Sequence, residues 1–217
     1  MGREIVKRID IEIERMSLLK HPFYRLWSEG RLSMEALKGY ALEYFYLVQN
    51  VPRMVENIMQ YYASTEYAGE MDVNLREERE HVALWIRFAK ALGISESDLY
   101  RYNASSKTKD AVHKLLELTS TPAGVAAMYA YEAELPKISS TKLEGLIKYY
   151  SMSSSDATEY QRVHSIVDVR HADVWRRMIA GMPVHMHDAL HASAVESMAA
   201  QNMLLDAVYE RYIARDC

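Results

Sequence analysis

The chain has 217 residues, 49% of them hydrophobic and 26% charged, with a formal net charge of −4. This length suits one domain with a large core, spanning 1–217, rather than two. The acidic balance argues against a general nucleic-acid binder, and no run of about 18 uncharged apolar residues is present to span a membrane.

The opening stretch MGREIVKRIDIEIERM alternates charged and apolar residues and lacks the apolar centre of a secretory signal, so a cytoplasmic location is the default expectation. Over residues 2–19, Ile5, Ile9, Ile13, Met16 and Leu19 recur at helical spacing. The segment HPFYRLWSEGRLS interrupts that pattern with Pro22 and Gly30, and Ser33 is placed to cap the next helix. A long helix is expected over 34–62, kinked at Pro52, and another over 67–92, ended by Gly93. Ser95 opens a short helix to Tyr102, and 108–118 forms the next. Thr121-Pro122 starts a helix rich in small residues that continues past Pro136, with a bend, to Tyr150. After the polar spacer SMSSSD come helices over 156–180 and 188–215, separated by Gly181-Met182-Pro183. The lone cysteine, Cys217, excludes an intrachain disulfide and a cysteine-based metal site, and reads as an exposed tail thiol. With eight Gly, five Pro and no internal repeat, the pattern is all-α, a bundle of about seven or eight helices.

His164, Asp168 and His171 lie on the helix before Gly181. Positions i+4 and i+7 fall about 40° and 20° either side of the first, so the three share one face. Imidazole and carboxylate together suit iron, manganese or zinc, although a solvated polar face would use the same residues. Glu78 and His81 form a Glu-x-x-His, the spacing that turns two ligands inward in dinuclear helical bundles. They sit in the charge-rich run REEREH, which equally suits an exposed face. Glu132 occupies an otherwise apolar helix, AAMYAYEAELP, where a buried carboxylate needs a cation or a hydrogen-bonding partner. Together these residues predict a dinuclear site. Two divalent cations and a bridging hydroxide nearly balance the three carboxylates and allow their burial. A second group, His185, His187 and His191, comes after a proline-containing loop without an apolar frame and reads as surface. Tyrosine is abundant, 16 against 3 Phe, through composition bias or through use of its hydroxyl.

The blocks HPFYRLWSEGRLSMEALKGYALEYF, LWIRFAKALG, PAGVAAMYAYE with its adjoining ELPKI, and HSIVDVRHA resemble the haem-oxygenase-like dinuclear metal oxidases of the TenA and pyrroloquinoline-quinone synthase C-like superfamily. The likeness runs from His21 to about Ala180 and is nearest to the chlamydial death-domain-associating proteins, self-sacrificing p-aminobenzoate synthases. The resemblance implies a haem-oxygenase-like bundle and metal ligands at Glu78, His81, Glu132, His164, Asp168 and His171. It further implies that Tyr24 is the tyrosine consumed, that Tyr40 and Tyr131 assist it, and that Lys142 donates the amino group. For Tyr24 a packed aromatic, and for Lys142 a solvated amine, remain the plain alternatives. In those relatives the first glutamate and histidine lie about two helical turns apart. Here Glu78 and His81 lie within one turn, as though a few residues were deleted, and Glu77 is an acceptable substitute for Glu78.

The cofactors implied are two divalent metal ions, Fe/Fe or Fe/Mn, with dioxygen and an external reductant as co-substrates. Small molecules alone are expected as partners, and a homodimer as the assembly. Alternatives are an oxidase of a small exogenous substrate resembling pyrroloquinoline-quinone synthase C, a TenA-like thiamine-related protein, and a regulatory helical protein without metal chemistry. The TenA branch is disfavoured because its nucleophilic cysteine has no counterpart when the lone cysteine is Cys217.

Overall fold

A computed structural model describes residues 2–214, so Cys217 lies outside the described residues. Among the described residues the fold has eleven α-helices and two short 3-10 turns, and no strand. The expected all-α architecture holds. The excess over the expected helix number comes from three prolines that start helices instead of interrupting or bending them.

Helix α1 (Gly2–Arg15) buries Ile5, Val6, Ile9 and Ile13, and a 3-10 turn over Leu18–Lys20 comes next. The expected break at HPFYRLWS is itself a helix, α2 (Pro22–Ser28). His21 is its N-cap, accepting at Nδ1 from the Phe23 amide at 3.1 Å, and Pro22 takes the first turn, where its missing N–H costs nothing. Helix α2 buries Phe23, Tyr24 and Trp27. The stretch expected as one kinked helix is two, α3 (Met34–Val48) and α4 (Val51–Tyr62). A proline ring at Pro52 clashes with the carbonyl four residues back, so the chain turns at Gln49-Asn50 and restarts with Pro52 in the first turn.

Helix α5 (Ala68–Ala91) runs unbroken and ends at Gly93, whose φ of +80° suits glycine. The short α6 (Glu96–Arg101) and α7 (Ser106–Thr119) begin on Ser95 and Ser105, each accepting from the amide three residues on. Pro136 then splits the next stretch into α8 (Gly124–Glu132) and α9 (Leu135–Tyr149). Every residue of α8 is buried, as an apolar helix with no polar face must be. The break is held by Glu134, whose carboxylate accepts from the Ser17 hydroxyl and from the Leu18 amide at 2.9 Å.

Helices α10 (Ser155–Gly181) and α11 (His187–Tyr212), joined through a 3-10 turn at Val184–Met186, complete the chain. Helix α8 packs between α10 and α11, α5 lies along α10, and α9 covers α10 from another side. Trp27, Trp85 and Trp175 are all fully buried in the core so formed. Among the described residues no helix is long and apolar enough to cross a membrane.

Candidate metal centre

Helices α5, α8 and α10 each turn acidic or imidazole side chains into the core. Glu78 and His81 from α5, Glu132 from α8, and His164, Asp168 and His171 from α10 are all buried. Two groups of potential ligand atoms form, one of Glu78, His81 and His164, the other of Glu78, Glu132 and His171, with the atoms of each within 4.8 Å of one another. Glu78 belongs to both. Asp168 lies beside the second, its Oδ1 3.6 Å from His171 Nδ1.

The imidazoles are oriented from outside. His164 Nδ1 is 2.8 Å from the Tyr160 carbonyl, which only accepts, so Nδ1 carries the proton and Nε2 keeps its lone pair. His171 Nε2 is 2.6 Å from Glu77 Oε2 and donates to it, which leaves Nδ1 turned to Glu78 Oε1 at 3.5 Å. Glu77 also accepts from Arg170 Nη2 at 2.6 Å and is partly solvent-exposed, so Glu77 lies outside the ligand groups and Glu78 within them. Trp175 Nε1 donates to Glu132 Oε2 at 2.6 Å.

The inward atoms lack partners. His81 Nδ1, His171 Nδ1, Glu132 Oε1 and both carboxylate oxygens of Asp168 are buried without a hydrogen bond. Five such atoms in one place are costly unless something satisfies them together. Burial raises the Glu132 and Asp168 pKa values, and the charge of Glu78 raises both further. Burial also pushes Glu78 up, but the facing His171 and His81 imidazoles, 3.5 and 3.3 Å away, prevail and hold it low. Burial and the neighbouring His81 lower His164 to about 3. For His171 burial acts downward, but Glu78 and Glu132 prevail and raise it to about 9. This donor set fits divalent cations, which would satisfy the inward lone pairs and favour the ionised carboxylates. A surface depression of about 230 Å³, lined by Gly69, Glu70, Val73, Arg170, His171 and Val174, reaches the outer side of the centre.

A phenol–amine cluster adjoins the ligands. Tyr24, Tyr40, Tyr131 and Lys142 are all buried. The Tyr24 and Tyr40 hydroxyls are 3.5 Å apart, and Lys142 Nζ donates to the Tyr40 hydroxyl at 3.3 Å. Burial lowers Lys142 to about 7, with Asp168 acting in the opposite direction, so much of this amine is uncharged at neutral pH. Burial also raises Tyr24, Tyr40 and Tyr131, which keeps them as neutral phenols. Tyr131 neighbours Tyr44, whose ring packs on Tyr40 with centres 5.0 Å apart.

Sequence reasoning missed several neighbours. Tyr160 stacks on His164 with ring centres 4.0 Å apart and meets Trp85 edge-on at 4.7 Å. Trp85 stacks in turn on Tyr44 at 5.2 Å, and Lys142 Nζ lies 5.7 Å from the Tyr44 ring. Tyrosines and tryptophans at apolar helical positions look like ordinary core, so nothing in their spacing marks them. His185, His187 and His191 belong to neither ligand group: His187 Nε2 faces the Met182 carbonyl at 3.3 Å and His191 Nε2 faces Glu12 at 3.8 Å.

Residues 11–172 match the TENA/THI-4/PQQC family. A protein of Nitrosomonas europaea named 4-aminobenzoate synthase is 31% identical over 96% of this chain and 92% of its own. One of Chlamydia muridarum with the same name is 33% identical over 79% of this chain and 76% of its own. Among solved structures, a TenA homolog from Pseudomonas syringae pv. tomato superposes with a TM-score of 0.81 at 14% identity, covering 96% of this chain and 92% of that one. A Shewanella denitrificans domain with a heme oxygenase-like fold gives 0.78 at 14% identity, covering 99% and 94%. At such identities the solved structures speak for the fold alone.

Proposed function

The chain belongs to the TENA/THI-4/PQQC family, and from that premise we propose that it is a 4-aminobenzoate synthase working as a dinuclear non-haem metal oxidase on its own side chains. The observation that carries the reading is the buried line Tyr24–Tyr40–Lys142, an oxidisable phenol and a buried amine on one shared hydroxyl beside two ligand groups joined at Glu78. The names of the Nitrosomonas and Chlamydia relatives support the same product.

In this reading Glu78, His81, Glu132, His164, Asp168 and His171 would hold two Fe ions, or one Fe and one Mn. When bound, the metals supply reductive activation of dioxygen with electrons from an external reductant. Tyr24 provides the ring. Tyr40 sits between ring and amine and passes protons between the Tyr24 hydroxyl and Lys142 Nζ. Lys142 provides the nitrogen, and its burial keeps a free lone pair available near neutral pH. Tyr131 supports the cluster through Tyr44. Burial of all four side chains keeps bulk water from an oxidised ring. No further macromolecule is needed, and the assembly that goes with the reading is a homodimer.

The test uses protein grown with ring-labelled tyrosine, loaded with Fe(II) and Mn(II), and given oxygen and reductant. Labelled 4-aminobenzoate and a matching loss of intact protein mass are expected, with both lost in Tyr24→Phe. Unlabelled product formed with no change in protein mass would overturn the self-sacrificing reading.

A further inference from the structure

Asn74 is a buried polar residue beside the centre whose presence the assigned ligands leave unexplained. It lies on α5 one turn before Glu78 and two turns before His81, so all three fall within an arc of about 60° on one helix face. Its side chain is 2% exposed, and neither the amide oxygen nor the amide nitrogen has a hydrogen-bond partner. Asparagine is a poor residue for a helix interior, and a buried amide without partners is worse than an apolar side chain of similar size. A residue serving only packing would be leucine here.

The amide neighbours Glu132 and favours its ionised form, yet makes no hydrogen bond to it, and Glu132 Oε1 is likewise unpartnered. Glu132 Oε2 is already occupied by Trp175 Nε1 at 2.6 Å. An NH2 turned toward the Glu132 carboxylate would leave the carbonyl oxygen of Asn74 for the space shared by Glu78, Glu132 and His171. We propose that Asn74 is a seventh residue of the metal centre, its side-chain oxygen acting as a neutral ligand in the half formed by Glu78, Glu132 and His171. The inference rests on the metal-centre reading above. It also makes the two halves chemically unequal. The Glu78–His81–His164 half has two imidazoles, whereas the Asn74 half is rich in oxygen and suits a harder ion such as Mn(II).

The experiment titrates Mn(II) alone into metal-free full-length protein, reading free Mn(II) by electron paramagnetic resonance. Wild type is expected to bind two equivalents. Asn74→Leu and Asn74→Ala are expected to weaken one of the two sites at least about tenfold while sparing the other. Asn74→Asp, which restores an oxygen at the same reach, is expected to recover it. Helical circular dichroism and melting of the metal-free variants identify those that fold, and Asn74→Asp with Asn74→Ala carries the test where Asn74→Leu does not. Two Mn(II) bound with wild-type affinities by Asn74→Ala or Asn74→Leu would overturn the role of Asn74 alone. A wild type that bound no Mn(II) would overturn the metal-centre reading and this inference together.

Discussion

His171 donates from Nε2 to Glu77 Oε2 at 2.6 Å, while its other ring nitrogen faces Glu78 at 3.5 Å. Two adjacent glutamates on α5 thus hold opposite edges of one imidazole. Glu77 is itself fixed by Arg170, the residue preceding His171. Glu77→Ala is therefore expected to free the His171 ring and weaken divalent-metal binding about 10–100-fold, with little change in the metal-free fold. Isothermal titration with Mn(II) measures this, and an unchanged dissociation constant would reduce the Glu77–Arg170–His171 contact to a surface ion pair.

That relationship also marks the reach of the sequence. The stripe His164, Asp168, His171 is legible because one helical period fixes which residues share a face, and Glu132 because a carboxylate stands out in an apolar run. Glu77 and Glu78 are not separable in the same way. One is i−4 and the other i−3 to His81, and only the position of α10 distinguishes the side facing Arg170 from the side facing the core. Asn74 goes unmarked for a similar reason, since a single asparagine in a polar stretch looks like surface. The three proline positions that depart from expectation share one cause. Proline breaks a helix when it falls inside and starts one when it falls in the first turn. At Pro22 a capping His21 settles the matter in favour of a start.

Lys142 links pH to stability. Its amine titrates near 7 in the fold against an ordinary value of 10.5, because burial disfavours the ammonium ion. Below pH 7 the folded protein carries this buried charge in full, at a cost on the order of a few kcal/mol. As pH rises from about 7 toward 10.5 the unfolded chain holds a proton the folded one has lost, so stability rises across that window. Lys142→Met is expected to raise the urea midpoint, by more at pH 6 than at pH 9. An equal gain at both values would show that the amine keeps an ordinary pKa.

Gly145 sets the approach of α2 to α9. A Cβ there would stand 2.5 Å from Trp27 Nε1 and 2.6 Å from Trp27 Cδ1. Trp27 is fully buried and donates to the Lys142 carbonyl at 3.2 Å, so the ring has nowhere to turn. Gly145→Ala must push α2 outward and Tyr24 with it. The expected loss is about 1–3 kcal/mol of stability, with a fall in 4-aminobenzoate yield per folded protein. Gly69→Ala, where nothing lies within 4 Å, is the control and should keep both. Wild-type yield from Gly145→Ala would detach the α2–α9 spacing from the chemistry.

Glu43 ties together helices outside the candidate metal centre. Its carboxylate is fully buried on α3 and accepts from the Tyr102 hydroxyl at 2.6 Å, the Ser105 amide at 3.1 Å, the Thr108 hydroxyl at 2.5 Å and Arg211 Nη1 at 2.7 Å. The donors come from the α6–α7 connection, α7 and α11, and Tyr102 also meets the Tyr212 hydroxyl at 2.6 Å. Glu43→Gln preserves the shape but sets an NH2 group among donors and leaves Arg211 without its anion. A loss of about 1–3 kcal/mol is expected, because buried donors to Glu43 lose an acceptor while the partly exposed Arg211 can turn to water. Arg211→Ala should cost less, because Arg211 is partly exposed and the other donors to Glu43 remain. Urea unfolding of both variants decides the matter. If Arg211→Ala proved the more damaging, the salt bridge rather than the shared carboxylate would be what holds α11 to α3.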